Sequence, residues 1–92
     1  EIEDIFLTVK RFLVKNNRTR ILVHAFDLPD VRDMEKFFIG ELGANIFGNK
    51  YKFAMLRKQE HINKFMENVA VNRGARLFIV SNEQEALNWL LR

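Results

Sequence analysis

The segment Arg76–Arg92, RLFIVSNEQEALNWLLR, constrains the fold more than any other part of the chain. Its apolar run Leu77–Val80 has the length of a strand. It passes through the polar pair Ser81 and Asn82 into a pattern that places Ala86, Leu87, Trp89 and Leu90 on one helical face. Asn82 is a good N-cap, and Glu85 stands three positions on as a capping-box partner. A buried strand that turns directly into a closing helix belongs to an α/β architecture.

The rest of the chain repeats this alternation. Ile2, Ile5, Phe6, Val9, Phe12 and Leu13 follow the spacing of an amphipathic helix, acidic at its start and basic near its end, with Asn16 and Asn17 as the stop. Thr19–Phe26 reads as a strand whose continuously apolar centre, Ile21–Val23, suits a parallel sheet covered on both faces. The turn Asp27-Leu28-Pro29-Asp30 follows, with Asp30 as the expected N-cap of a helix from Val31 to Leu42 that ends at Gly43. Met34, Phe37, Phe38 and Leu42 form the expected apolar stripe of that helix. Tyr51–Leu56 reads as a second strand. A third helix is expected over Glu60–Asn72, with Ile62, Phe65, Met66, Val69 and Ala70 inward and Gly74 just past its end. The expected fold is therefore α/β in the order αβαβαβα, with three parallel strands flanked by four helices in one domain spanning residues 1–92. Three strands are few for four helices, and the helical pattern starts at the first residues. We therefore expect that strands of the fold precede Glu1.

Composition narrows the class. A domain of 92 residues buries only about 60% of its unfolded surface, so the nine Phe and the 48% hydrophobic content matter to its core. No apolar run approaches the roughly 20 residues needed to cross a bilayer, so stable membrane insertion is not expected. The absence of cysteine excludes disulfides and suits a reducing cytoplasm. The net charge of +3 is mild, with basic residues scattered along the chain between acidic ones, so nucleic acid is not an expected partner. Two histidines without cysteine make a metal site improbable, and no cofactor fingerprint, P-loop or nucleophile elbow is present. Ser81 is the only serine and has no supporting His or Asp at useful spacing. His24, mid-strand, is expected at a buried or edge position, because Asp27 would project from the other face.

The stretch KFAMLRKQEHINKFMENVAVNRGARLFIVSNEQEALNWL resembles the C-terminal half of bacterial STAS-like (SpoIIAA-like) domains, through Glu67, Ala70, Arg73, Gly74, Phe78, Glu85, Ala86, Trp89 and Leu90. The segment ILVHAFDLPDV fits more loosely, where that family has a strand ending in an aspartate-containing turn. The resemblance implies a bacterial regulatory setting and opening strands before the first helix. Members that antagonise anti-sigma factors carry a phosphorylatable Ser or Thr just after this turn. Asp27–Asp33 contains neither, so no phosphorylation switch is expected.

In open α/β sheets, ligands favour the crevice outside the carboxyl ends of the strands. Here that edge gathers Asp27, Leu28 and Pro29 after the first strand, Arg57, Lys58 and His61 after the second, and Ser81 and Asn82 after the third. These are the candidate ligand or partner residues. The plainer reading makes Asp27 and Ser81 turn formers, Asn82 a cap, and Arg57 and Lys58 a solvated pair. The expected function is a non-enzymatic, STAS-like interaction module without cofactor. It would bind a protein partner, or itself, through a sheet edge or the Asp27 turn. The alternative is a small carrier of an apolar or anionic, lipid-like ligand. A carrier would enclose a cavity, expected among Phe37, Phe38, Phe53 and Phe65. An interaction module would lack a deep pocket.

Overall fold

The computed structural model describes residues 2–62 and 64–92. Four helices, α1 (Ile2–Lys15), α2 (Asp33–Phe47), α3 (Phe65–Asn72) and α4 (Glu83–Leu90), alternate with three strands, β1 (Arg20–His24), β2 (Lys52–Leu56) and β3 (Arg76–Val80). The strands form one parallel sheet in the order β1-β2-β3. The order of elements and the parallel pairing match the sequence-based expectation.

Strand alternation divides the core in two. Ala54, Leu56, Val80 and Phe78 meet Ala86, Leu90 and Trp89 of α4 on one face. Leu56 is wholly buried, which contributes about 2 kcal/mol. On the other face Ile21, Phe53 and Tyr51 meet Phe47 of α2 and Phe6, Val9 and Leu13 of α1. The Phe47 ring lies 4.4 Å from that of Phe53 and 5.6 Å from that of Phe6. Lys10 ties α1 to the end of α2 by donating to the Ile46 carbonyl at 2.7 Å. Helices α1, α2 and α3 thus form one layer, and α4 alone forms the other.

Several boundaries differ from the expectation. β1 is shorter than Thr19–Phe26 and is an edge strand whose sides are only half covered. α2 begins at Asp33, not Val31. Its N-cap position is Arg32, and Asp30 instead faces Lys36. Gly43 does not end it. The helix runs on because Ala44 and Phe47 are its buried anchors, and it stops at Gly48, whose φ of 59° closes the turn. Its expected stripe is rotated, with Met34 and Phe38 exposed (Phe38 at 59%) and Lys36, Gly40, Ala44 and Phe47 buried. The helix expected over 60–72 is broken. A single 3-10 turn covers Gln59–His61, and Lys64 then adopts a left-handed backbone, φ 65°, ahead of α3. Lys64 holds that conformation while its ammonium donates to the Ile79 carbonyl at 2.7 Å and to Glu67 at 3.0 Å. Phe65 is consequently exposed, whereas Val69 and Ala70 are buried as expected. The closing helix starts as read. Asn82 Oδ1 accepts the Glu85 backbone N–H at 2.9 Å.

Gly40 is where α2 meets α3. A Cβ there would lie 3.0 Å from the Met66 carbonyl oxygen and 3.1 Å from Val69 Cγ1. A Cβ at Gly43, one turn on, would meet only Phe6 Cε2 at an ordinary 3.7 Å. Overpacking costs about 1–3 kcal/mol, and Ala for Gly in a helix returns about 1 kcal/mol. Gly40→Ala is therefore expected to lower unfolding stability in urea by up to about 2 kcal/mol. Gly43→Ala is expected to raise it by about 0.5–1 kcal/mol. Equal effects at the two positions would contradict the close α2–α3 contact.

Candidate functional site: an apolar crevice and its carboxyl-end mouth

The two faces of the sheet are not packed alike. α4 lies directly on all three strands, whereas the α1–α2–α3 layer leaves space above Val23 and Met55. Two chambers occupy that space, one of about 220 Å³ and one of about 340 Å³. They share Ile5, Phe6, Val23, Ile39, Met55 and Met66 as walls and so adjoin one another along the sheet, as two chambers of an apolar crevice. The smaller chamber reaches Tyr51 and Ala75 at the amino ends of β2 and β3, and nearly all its lining is apolar. The larger opens at the carboxyl ends, beside Leu28, Pro29, Arg57 and His61. The accessible surface agrees with an unclosed layer. It is 6229 Å², against about 5,600 Å² for a compact monomer of this mass.

Arg57 organises the mouth. Its backbone N–H donates to the Val80 carbonyl at 3.0 Å, which continues the ladder past β2. Its side chain is buried, at 8% exposure, and is not the solvated group of the plainer reading. Nη1 donates to the carbonyls of Ala25 at 2.8 Å and Leu28 at 2.7 Å, and Nη2 donates to that of Pro29 at 3.3 Å. A guanidinium satisfies three carbonyls of a turn because its N–H groups are fixed in a planar fork. Nη2 also lies 3.4 Å from His61 Nδ1. Arginine can only donate, so any hydrogen bond in this contact has Nδ1 as its acceptor.

Asp30 and Lys36 complete the rim. The buried Lys36 ammonium is 3.2 Å from Asp30 Oδ1 and 3.9 Å from Asp33. The hydrogen bond from Lys36 holds the Asp30 carboxyl below the usual aspartate range. Desolvation opposes that shift, while the Lys36 charge, the Val31 backbone N–H and His61 reinforce it. Across the mouth, Lys64 bonds Glu67 and the Ile79 carbonyl, and Glu67 accepts the Ile79 N–H at 2.7 Å. Together these two side chains cap the outward-facing backbone groups of β3 at Ile79.

Of the candidate residues, Leu28, Pro29, Arg57 and His61 converge on the mouth. Asp27 and Lys58 are exposed beside it, outside the crevice lining. Ser81 donates to Gln59 Oε1 at 2.9 Å and ties the end of β3 to the 3-10 turn, and Asn82 caps α4. The cavity wall contains Phe53 but neither Phe37, Phe38 nor Phe65. Its other phenylalanines are Phe6 and Phe47. Phe37 instead lies under the Arg73 guanidinium, at 4.9 Å. Asp30, Lys36 and Lys64 escaped the sequence reading. Asp30 resembled an N-cap, and no pattern distinguishes a lysine on the inner side of α2 from a solvated one. Among the described residues no three His, Asp or Glu side chains gather as metal ligands do, and no helix is long and apolar enough to cross a membrane.

No family model, curated protein or solved structure matches this chain.

The Asp30 pairing has a pH signature. A carboxyl whose folded pKa lies below its ordinary value of 3.8 contributes stability that is complete above that value. The contribution is lost as pH falls through 3.8 toward the folded pKa. Asp30→Asn should therefore be less stable than the parent at neutral pH, and the gap should close in acid once both states are protonated. Urea titrations across that range measure it. A gap independent of pH would contradict the Lys36–Asp30 assignment.

Proposed function

We propose that this chain is a non-enzymatic binding module for an amphipathic ligand, whose apolar body fills the crevice and whose polar or anionic end sits at the carboxyl-end mouth. The two adjoining chambers between the sheet and the α1–α2–α3 layer carry this reading. An interaction module needs no such chamber, whereas a carrier does. Apolar walls with a few convergent polar groups are the usual make-up of a small-molecule site. The lining of the mouth contains Lys36, Arg57 and Lys64, which face Asp30, Asp33 and Glu67, so the mouth offers charged and polar groups for the ligand's polar end. Arg57 spends three N–H groups on carbonyls, while Lys36 and Lys64 each face two partners with three N–H donors, so each ammonium keeps one donor for that end. On this reading the chain is STAS-like in layout and serves as a carrier or ligand sensor.

One observation favours the protein-interaction reading. β1 has no strand beyond it among the described residues, so its outer edge offers backbone groups to another chain. The β3 edge is less available, because Glu67 and Lys64 occupy the Ile79 N–H and carbonyl.

Decanoate tests the carrier reading. The parent protein is expected to bind it saturably and to gain about 2.7 kcal/mol of stability at a ligand concentration of about 100 Kd. Val23→Phe places a ring in the space shared by both chambers. It should abolish that gain while the unliganded protein keeps its melting temperature. Undiminished binding by Val23→Phe would overturn the proposal.

A further inference from the structure

The amino-terminal rim of the sheet holds a group of cations, of which only Arg76 also borders the crevice. Parallel register sets Arg20, Lys52 and Arg76 side by side across all three strands. Register neighbours share a face, and strands stand about 4.8 Å apart, so the row spans roughly 10 Å. Its centre is fixed. Lys52 is 7% exposed, and its ammonium donates to the Trp89 carbonyl at 2.8 Å and the Arg92 carbonyl at 3.2 Å, where it closes the end of α4. It also lies 4.8 Å from the centroid of the Trp89 ring. Arg92, the fourth cation, follows α4.

Among the described residues no ion pair joins Arg20, Lys52, Arg76 or Arg92 to an acid. The acids of α4, Glu83 and Glu85, lie in its first turn, at the carboxyl end of the sheet. The three arginines are exposed and crowd the buried lysine. Desolvation holds the Lys52 ammonium below the usual lysine range, and the charges of Arg76, Arg92 and Arg20 push it further in the same direction. Such a row repels itself, and an anion laid across it removes the repulsion.

We propose that the rim formed by Arg20, Arg76 and Arg92 around Lys52 is a binding site for a small, multiply charged phosphate compound. Guanidinium forks match phosphate oxygens two at a time, and the row is long enough for two linked phosphate groups. The aromatic groups nearby are already engaged. Trp89 is stacked on Phe78 at 5.3 Å and covered by Lys52, so no free ring face is presented for a nucleobase. This distinguishes the site from a single-stranded nucleic-acid platform. Arg20, Lys52 and Arg92 lie outside the crevice lining, and the probe is an inorganic anion with no apolar body, so the test is independent of the carrier reading.

Inorganic pyrophosphate is the probe, and calorimetry on the intact chain gives the affinity. Trp89 is the only tryptophan, so its emission reports events at Lys52. Saturable binding with a change in Trp89 emission is expected, and sodium chloride of equal ionic strength should not reproduce it. The double variant Arg20→Gln/Arg76→Gln should weaken binding by about tenfold or more, the loss expected when charge-assisted hydrogen bonds are removed. Arg32→Gln removes one charge at the opposite end of the sheet and should leave the affinity unchanged. Three results would overturn the proposal. They are no saturable binding, equal weakening by Arg32→Gln and the rim variant, and binding only to phosphatidylglycerol vesicles and not to pyrophosphate.

Discussion

The structure depends on β2 being enclosed on every side. Both of its edges carry parallel ladders, and both of its faces are covered. In a chain this small, only a central strand can be buried so completely. Its alternate residues then assign chemistry to the two layers. Ala54 and Leu56 are small or compact enough for α4 to lie directly on the sheet. Phe53 and Met55 face the opposite way, under helices held farther off by aromatic contacts among Phe6, Phe47 and Phe53. Those contacts gather toward the amino ends of the strands. The crevice is the space left beside and beyond them, under α1, α2 and α3.

Arg57 turns that space into a site with a defined mouth. It follows β2 directly, so the sheet fixes its position. Its fork holds the carbonyls of Ala25, Leu28 and Pro29, which sets the path of the chain between β1 and α2. Removing a buried donor from three carbonyls leaves each unsatisfied, at about 1–3 kcal/mol apiece. The turn in turn places Asp30 against Lys36, so a polar rim and an apolar interior arise from one buried side chain.

Much of this was legible in the sequence. The order of elements followed from periodicity, and the Asn82 cap and the Asn16–Asn17 stop from local chemistry. The carboxyl-end rule brought Leu28, Pro29, Arg57 and His61 to one place. What stayed hidden depended on tertiary contact. The stripe of α2 differs from its hydrophobic pattern because Lys36, Gly40, Ala44 and Phe47, not Met34 and Phe38, make its buried face. A Cβ at position 40 would lie 3.0 Å from the Met66 carbonyl oxygen of α3, so the contact favours Gly40, and hydrophobicity does not mark such a position. The break at Lys64 has no propensity signal, since a side-chain bond to Ile79 holds it. The basic residues looked scattered because Arg20, Lys52 and Arg76 are far apart in the chain. Only strand register makes them neighbours.

An apolar chamber lies between Val23, Met55, Ile39 and Met66. Apolar cavities of this kind take up xenon. Methyl NMR of the unliganded protein under xenon pressure examines the chamber with no assumption about its natural occupant. Saturable shifts should appear at the methyls of Val23, Ile39, Met55 and Met66, and Leu56, Val80 and Leu90 on the α4 face should stay still. Uniform small shifts across both faces, or none, would contradict the account.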